Sequence, residues 1–191
     1  GLTSDYVHCC TRSGKSGFQI RWIGGAVNPI SGYSIKELLA LGCFLPMVHP
    51  DDHQRVSDYL LNLVPGDRKT IEFRIVTRQQ EIRWVSEKSQ CNAGPSEGTL
   101  TLLGAVTDIT ERKQSEERLR ESEERFRNIA EMLPEVVFEL DLSGNLRFAN
   151  RKAFEIFGYT EQAFVQGLNA FDMIVPQERA LARERIHQRM A

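Results

Sequence analysis

The sequence predicts an α+β chain: a five-stranded antiparallel sheet with helices over one face, then a long connecting helix, then the opening half of a second, similar unit. Three observations predict it. Within the first hundred residues the apolar period changes from helical to two, a charged stretch free of Gly and Pro follows, and the opening pattern returns 126 residues on. A 3.6-residue period marks one apolar helix face, and a period of two marks a strand with one buried side. Self-similarity at a fixed offset marks a duplicated structural unit. With 191 residues, 41% hydrophobic and 26% charged, the chain has room for two small domains and enough apolar residues for a core.

The elements follow in order. Residues 5–11 and 18–23 read as short strands around the turn-rich Ser13-Gly14-Lys15-Ser16-Gly17, which makes a hairpin. Ser34 stands three residues before Glu37, the spacing of a capping box, and Gly42 supplies a stop. A second helix is expected over residues 50–63, where Val56, Leu60, Leu63 and Val64 form one apolar stripe. Ile71, Phe73 and Ile75 then alternate with polar neighbours, Ile82 and Trp84 do so after the turn Gln79-Gln80-Glu81, and Leu100, Leu102, Gly104 and Val106 line a last strand. The predicted order is β-β-α-α-β-β-β.

Residues 110–133 contain neither Gly nor Pro and read as one continuous helix. Leu119, Phe126 and Leu133 recur every seven residues with Ile129 between them, a thin seam suited to pairing two chains in parallel. Beyond it the opening pattern returns: Gly32-Tyr33 as Gly158-Tyr159, Ile20 as Leu146, Trp22 as Phe148, Ile30 as Ile156 and Pro50 as Pro176. The organisation expected is therefore residues 1–109, a first domain; 110–133, a connecting helix; and 134–191, the N-terminal half of a second domain. That half-sheet is expected to take contacts from another chain or to be poorly ordered, because its strands have an open edge.

Composition narrows the chemistry. Twenty-four basic against 26 acidic residues, with no basic stripe, disfavour nucleic acid. The most apolar run, residues 38–48, is far short of the ~20 residues of a membrane span, and no secretion signal opens the chain. Cys9, Cys10, Cys43 and Cys91 form no C-x-x-C pair and read as reduced thiols of a cytoplasmic protein. His49 and His53 flank Asp51-Asp52, but Pro50 between them opens a helix and keeps the two imidazoles off one face, so no metal site is expected. No nucleophile–base pair or phosphate-cradling loop stands out, and no catalytic residue is named.

Taken together, Ser31-Gly32-Tyr33-Ser34, Val48-His49-Pro50-Asp51-Asp52, Glu81-Ile82-Arg83-Trp84-Val85 and Gly104-Ala105-Val106-Thr107-Asp108-Ile109-Thr110 resemble the PAS domain with its PAC segment. The second copy matches the family's early half through Gly144-Asn145-Leu146 and Phe157-Gly158-Tyr159. The resemblance implies a sensor that encloses a small-molecule ligand or cofactor, dimerises through the connecting helix or its domain surfaces, and acts on a downstream histidine kinase or diguanylate cyclase. It implies no enzyme in this segment itself. A ligand-free dimerisation module and a haem- or flavin-bearing redox or light sensor are the alternatives. Expected cavity residues are Tyr33, Phe44, Val56, Phe73, Trp84 and Leu102, and Asp108, Ile109 and Thr110 are the expected relay into the helix. The cofactor is left open, with flavin and haem both disfavoured. Cys43-Phe44-Leu45-Pro46 lacks the arginine and glutamine that follow the reactive cysteine of the flavin-binding members, and Val106 stands where their strand glutamine would be. His53, the one haem-ligand candidate, falls in a first helical turn.

Overall fold

The computed structural model describes residues 5–14, 16–181 and 184–185, which divide into two compact units, residues 1–116 and 117–191.

Unit 1 opens with β1 (Asp5–Ser13) and β2 (Gln19–Gly25), joined as the expected hairpin. Three short helices follow: α1 (Val27–Ser31), α2 (Ile35–Leu41) and α3 (His53–Leu61). Then come β3 (Arg68–Val76), β4 (Ile82–Ala93) and β5 (Thr99–Asp108). The sheet order is β2-β1-β5-β4-β3 with every pair antiparallel. The last strand thus lies in the middle of the sheet, beside the first.

Local chemistry accounts for most boundaries. The Ser34 hydroxyl accepts from Glu37 N while the Glu37 carboxylate accepts from Ser34 N, so the capping box closes α2 at its start. Gly42, at φ 70°, ends it in the left-handed conformation that glycine adopts without a Cβ penalty. The expected second helix is shorter than the apolar stripe indicates: residues 50–52 form a 3₁₀ turn opened by Pro50, and α3 proper begins at His53. Val56 and Leu60 are buried on it, while Leu63 and Val64 lie past its end, Leu63 buried and Val64 57% exposed. Its last carbonyls are held by Arg12, whose guanidinium donates to Leu60 O at 2.8 Å and Leu61 O at 3.3 Å and stacks over Phe18.

Alternation sorts the sheet into two faces. Tyr6, His8 and Cys10 of β1, Leu102 and Val106 of β5, Val85, Glu87, Ser89 and Cys91 of β4, and Ile71, Phe73 and Ile75 of β3 are buried under the helices. From the helical side Val27, Ile30, Leu38, Phe44, Met47 and Val56 complete the core. Trp22, Val7 and Leu103 point the other way and are exposed.

Beyond β5 runs α4 (Thr110–Met132), a single helix over nearly the whole expected span. Along it Arg112 pairs with Glu116, and Arg120 with both Glu117 and Glu124.

Unit 2 comprises the hairpin β6 (Phe138–Leu140) and β7 (Leu146–Ala149), then α5 (Arg151–Phe157) and α6 (Glu161–Val165). It reproduces unit 1 in detail. Both hairpins carry an irregularity at the same place, where Cys9 pairs with Trp22 but Cys10 with Ile20, and where Glu139 pairs with Phe148 but Leu140 with Leu146. Gly32 and Gly158 each end a helix with positive φ, and Pro50 and Pro176 each open a 3₁₀ turn.

Candidate functional site

Five of the six expected cavity residues fall on one side of the sheet of unit 1. Phe44, Val56, Phe73 and Leu102 are buried in one core, with Phe44 and Phe73 rings stacked 6.5 Å apart, and Tyr33 packs against its rim. Trp84 is the exception. Val85, Glu87 and Ser89 of β4 face the helices, so the alternation sends Trp84 to the opposite face, half-buried, and it does not line the interior.

Sequence reasoning overlooked the polar groups of that interior. His8 and Glu87 are 4% and 1% exposed, with His8 Nε2 3.2 Å from Glu87 Oε1, too poorly aligned for a hydrogen bond. His8 Nδ1 faces Cys10 Sγ at 3.3 Å. The pair reaches across the central strand at Gly104, where a Cβ would collide with His8 Nε2. Glycine is therefore what lets β1 and β4 touch over β5. The enclosure acts on its neighbours: burial first, then the Glu87 charge, pushes the Tyr6 hydroxyl and the Cys10 thiol far above their ordinary ranges, so both stay protonated. The signal available in the sequence was a histidine and a glutamate standing in phase with buried strand neighbours, at Tyr6/His8/Cys10 and Val85/Glu87/Ser89.

On the inner face of β5 Val106 is buried and has no amide to offer a flavin ring edge, and the Cys43 thiol accepts from Leu45 N. His53 is exposed at the start of α3, and His49 Nδ1 accepts from Asp51 N as a helix cap. Among the described residues no group of three or more metal-ligating side chains comes together, and no helix is long and apolar enough to cross a membrane.

The expected relay residues do meet, and they gather others on the outer face. Asp108 Oδ1 accepts from Thr110 N at 2.9 Å, and Trp84 N donates to Thr110 Oγ1 at 3.0 Å. Ile109 N donates to Trp84 O at 2.9 Å, so the strand-to-helix turn is sewn to the backbone of β4. Side chains extend the connection. Glu72 of β3 holds Arg112 at 2.7 Å and Lys113 at 2.8 Å, and the Lys113 ammonium lies 5.3 Å over the Trp84 ring. On the other flank of Trp84, Arg74 sits with its guanidinium 5.8 Å from the ring and grips Asp52 at 2.8 Å. The Arg74 hydrogen bonds hold the Asp52 carboxyl down to about 2. Trp84 is thus a junction residue: it links the entry of α3, through Asp52 and Arg74, to the first turn of α4.

Of the seam residues, Leu119, Phe126, Ile129 and Leu133 are 62%, 52%, 54% and 41% exposed. The Phe126 ring packs against that of Phe148, with centroids 5.8 Å apart. Unit 2 holds a cavity of about 240 Å³ with an almost wholly apolar lining that includes Phe138, Leu146, Phe154, Tyr159 and Phe171. Leu146 and Phe171 face it where Ile20 and Leu45 stand in unit 1.

Comparison with known proteins agrees with this geometry. Two family models, both described as PAS fold, match residues 20–106 and 124–191, together most of the chain. An uncharacterized protein of Sinorhizobium fredii is 32% identical over 143 residues, 73% of this chain and 17% of that protein. A blue-light-activated histidine kinase of Brucella ovis is 32% identical over 111 residues, 56% of this chain and 22% of that protein. The chain therefore spans about a fifth of the length of these curated relatives. Among solved structures, a sensory box histidine kinase/response regulator from Burkholderia thailandensis is 27% identical, with a TM-score of 0.49 over 64% of this chain and 91% of that one. The domain of a putative light and redox sensing histidine kinase from Haloarcula marismortui is 26% identical, with a TM-score of 0.46 over 56% and 91%. With a duplicated fold and both halves matched, the chain belongs to the PAS-fold family and is a sensory signalling module carrying two PAS units in tandem.

Proposed function

We propose that the first PAS unit passes its state to the second through the turn Asp108-Ile109-Thr110, and that the longer protein ends in a histidine kinase transmitter. The observation that carries the first part is the double attachment of α4. Its first residue is bonded to the backbone of β4 through Trp84, and its first turn is ion-paired to β3 through Glu72. A shift of β3 or β4 then moves the start of α4 rather than being absorbed by a slack loop. The second part, the kinase output, is supported by the likeness to the blue-light-activated histidine kinase of Brucella ovis.

The test uses hydrogen exchange on the 191-residue chain. Thr110→Val removes the hydroxyl that Trp84 N uses and keeps the side chain's shape. Exchange over residues 110–116 is expected to rise about tenfold, with β1–β5 protection unchanged apart from the Trp84 amide, which loses its acceptor. Unaltered exchange at the helix start overturns the relay. For the output, phosphate transfer from ATP to a histidine of the full-length protein is expected; a nucleotide cyclase product in its place overturns that part.

The same reading includes a homodimer paired along α4, supported by the exposure of Leu119 and Ile129. It also includes a small apolar ligand, for which the apolar lining of the unit 2 cavity is a suitable environment. No catalytic step is proposed for this segment.

A further inference from the structure

The corner where α3 begins carries a titratable ring that its counterpart in the second unit lacks. His49 Nδ1 accepts from Asp51 N at 3.3 Å, which requires that nitrogen to be unprotonated. Asp52 N donates to His49 O at 2.9 Å and closes the 3₁₀ turn. In unit 2 Val175 holds the equivalent position, by the 126-residue repeat. There Glu178 N donates to Val175 O at 2.9 Å, and the turn closes in the same way with no side-chain cap. The imidazole is therefore dispensable to the turn that it caps.

What the ring adds is a place in an ion-pair cluster. Asp51 Oδ2 lies 3.6 Å from His49 Nδ1 and accepts from Arg74 Nη2 at 3.3 Å, so one carboxylate oxygen stands between imidazole and guanidinium. Arg74 also donates to Asp52, from Nε at 3.1 Å and from Nη2 at 2.8 Å. The backbone joins the same two places, His49 N donating to Arg74 O at 2.9 Å. The charged and titratable groups that meet at this corner are Asp51 and Asp52 of the turn, His53 and Arg55 of α3, and Arg74 of β3. Imidazole is the side chain that ordinarily changes charge between about pH 5 and 8, and the His49 side chain is 19% exposed, within reach of solvent protons. Asp52, held down to about 2, stays ionised over that range. One proton on Nδ1 then has two effects: Asp51 N loses its acceptor, and the new N–H competes with Arg74 Nη2 for Asp51 Oδ2.

We propose that protonation of His49 draws Asp51 away from Arg74 and loosens the hold of β3 on the entry of α3, making this corner a pH-sensitive input to the Trp84 junction. The hold is closed at the upper end of the range and released as pH falls. Release at the corner stands on its own, whereas its effect on α4 rests on the relay proposed above. The path between them is short, because Arg74 flanks the Trp84 ring and Trp84 N donates to Thr110 Oγ1.

The test is a pH titration of the ¹⁵N-labelled 191-residue chain by NMR, from about pH 8 down to about pH 5, following the Arg74 Nε–H, the Thr110 amide and the His49 ring. The Arg74 signal is expected to shift along a one-proton curve whose midpoint is that of the His49 ring. His49→Asn keeps an acceptor at the cap but does not titrate in this range, so it should leave the spectrum at the upper pH in place and abolish the curve. His53→Asn should keep the curve, and Asp51→Ala, which deletes the shared oxygen, should diminish it. An Arg74 signal that does not move overturns the proposal, as does a curve that persists in His49→Asn or is undiminished in Asp51→Ala. If Arg74 follows His49 while the Thr110 amide stays still, the pH response of the corner is upheld and the relay through Asp108-Ile109-Thr110 fails.

Discussion

His8 and Glu87 show how a single glycine shapes a core. Each is enclosed, and His8 Nε2 lies 3.2 Å from Glu87 Oε1, so removing one leaves the other without its polar neighbour in a low-dielectric interior. His8→Leu alone is expected to cost about 3 kcal/mol, and so is Glu87→Leu alone. The double replacement should cost clearly less than their sum, because no polar group is then stranded. Urea unfolding of the three variants measures this, and strictly additive losses would refute the coupling. Neither residue was found from the sequence, because a strand that alternates tells only which side a position faces. That His8 and Glu87 meet depends on the order β1-β5-β4, a long-range pairing that no local pattern carries. Trp84 went wrong for a related reason: its aromatic character suggested the interior, while its parity with Val85 already placed it outside.

Among the elements, those whose cause is local were legible. The Ser34–Glu37 box, the Gly42 stop and the helix α4 all rest on contacts within a few residues, and each stands where the spacing puts it. The five-residue α1 was missed because it is too short to show a period, and it is recognisable only by its Gly32 end. The start of α3 was misread because proline is equally at home in a 3₁₀ turn. At the far end of α4, one side chain does the work of a clasp. Asn150, fully buried, donates to Ala130 O at 2.8 Å and Glu135 O at 2.9 Å, and accepts from Val137 N and Ala153 N. It joins the last turn of the helix to β6 and α5. Asn150→Leu is expected to destabilise unit 2 by roughly 3 kcal/mol, the sum of several buried bonds at about 1 kcal/mol each. Chemical denaturation followed by circular dichroism checks it, and a loss below about 1 kcal/mol would show that the clasp is replaceable.

At the scale of the whole molecule, the duplication was the most legible feature, since it needs only comparison of the chain with itself. What it could not reveal is how differently the two copies are finished. Ile30 is 3% exposed and its counterpart Ile156 57%. Unit 1 rests on five strands, whereas the described sheet of unit 2 has two, of three and four residues. Two-stranded sheets are marginal unless packed against more. Urea is therefore expected to unfold the chain in two steps, unit 2 first. Both tryptophans lie in unit 1, so their emission should report only the later step, while circular dichroism registers both. Coincident curves from the two probes would mean that the chain unfolds as one body.

The completeness of Asn150's bonding has its own consequence. An amide with both hydrogens and its oxygen committed has nothing left with which to follow a small displacement, and a slide of a fraction of an ångström weakens four bonds together. The end of the connecting helix is then latched, staying put under weak disturbance and letting go at a threshold. A latch of that kind turns a graded push into a step, the arrangement by which small shifts at packed boundaries become discrete changes of state.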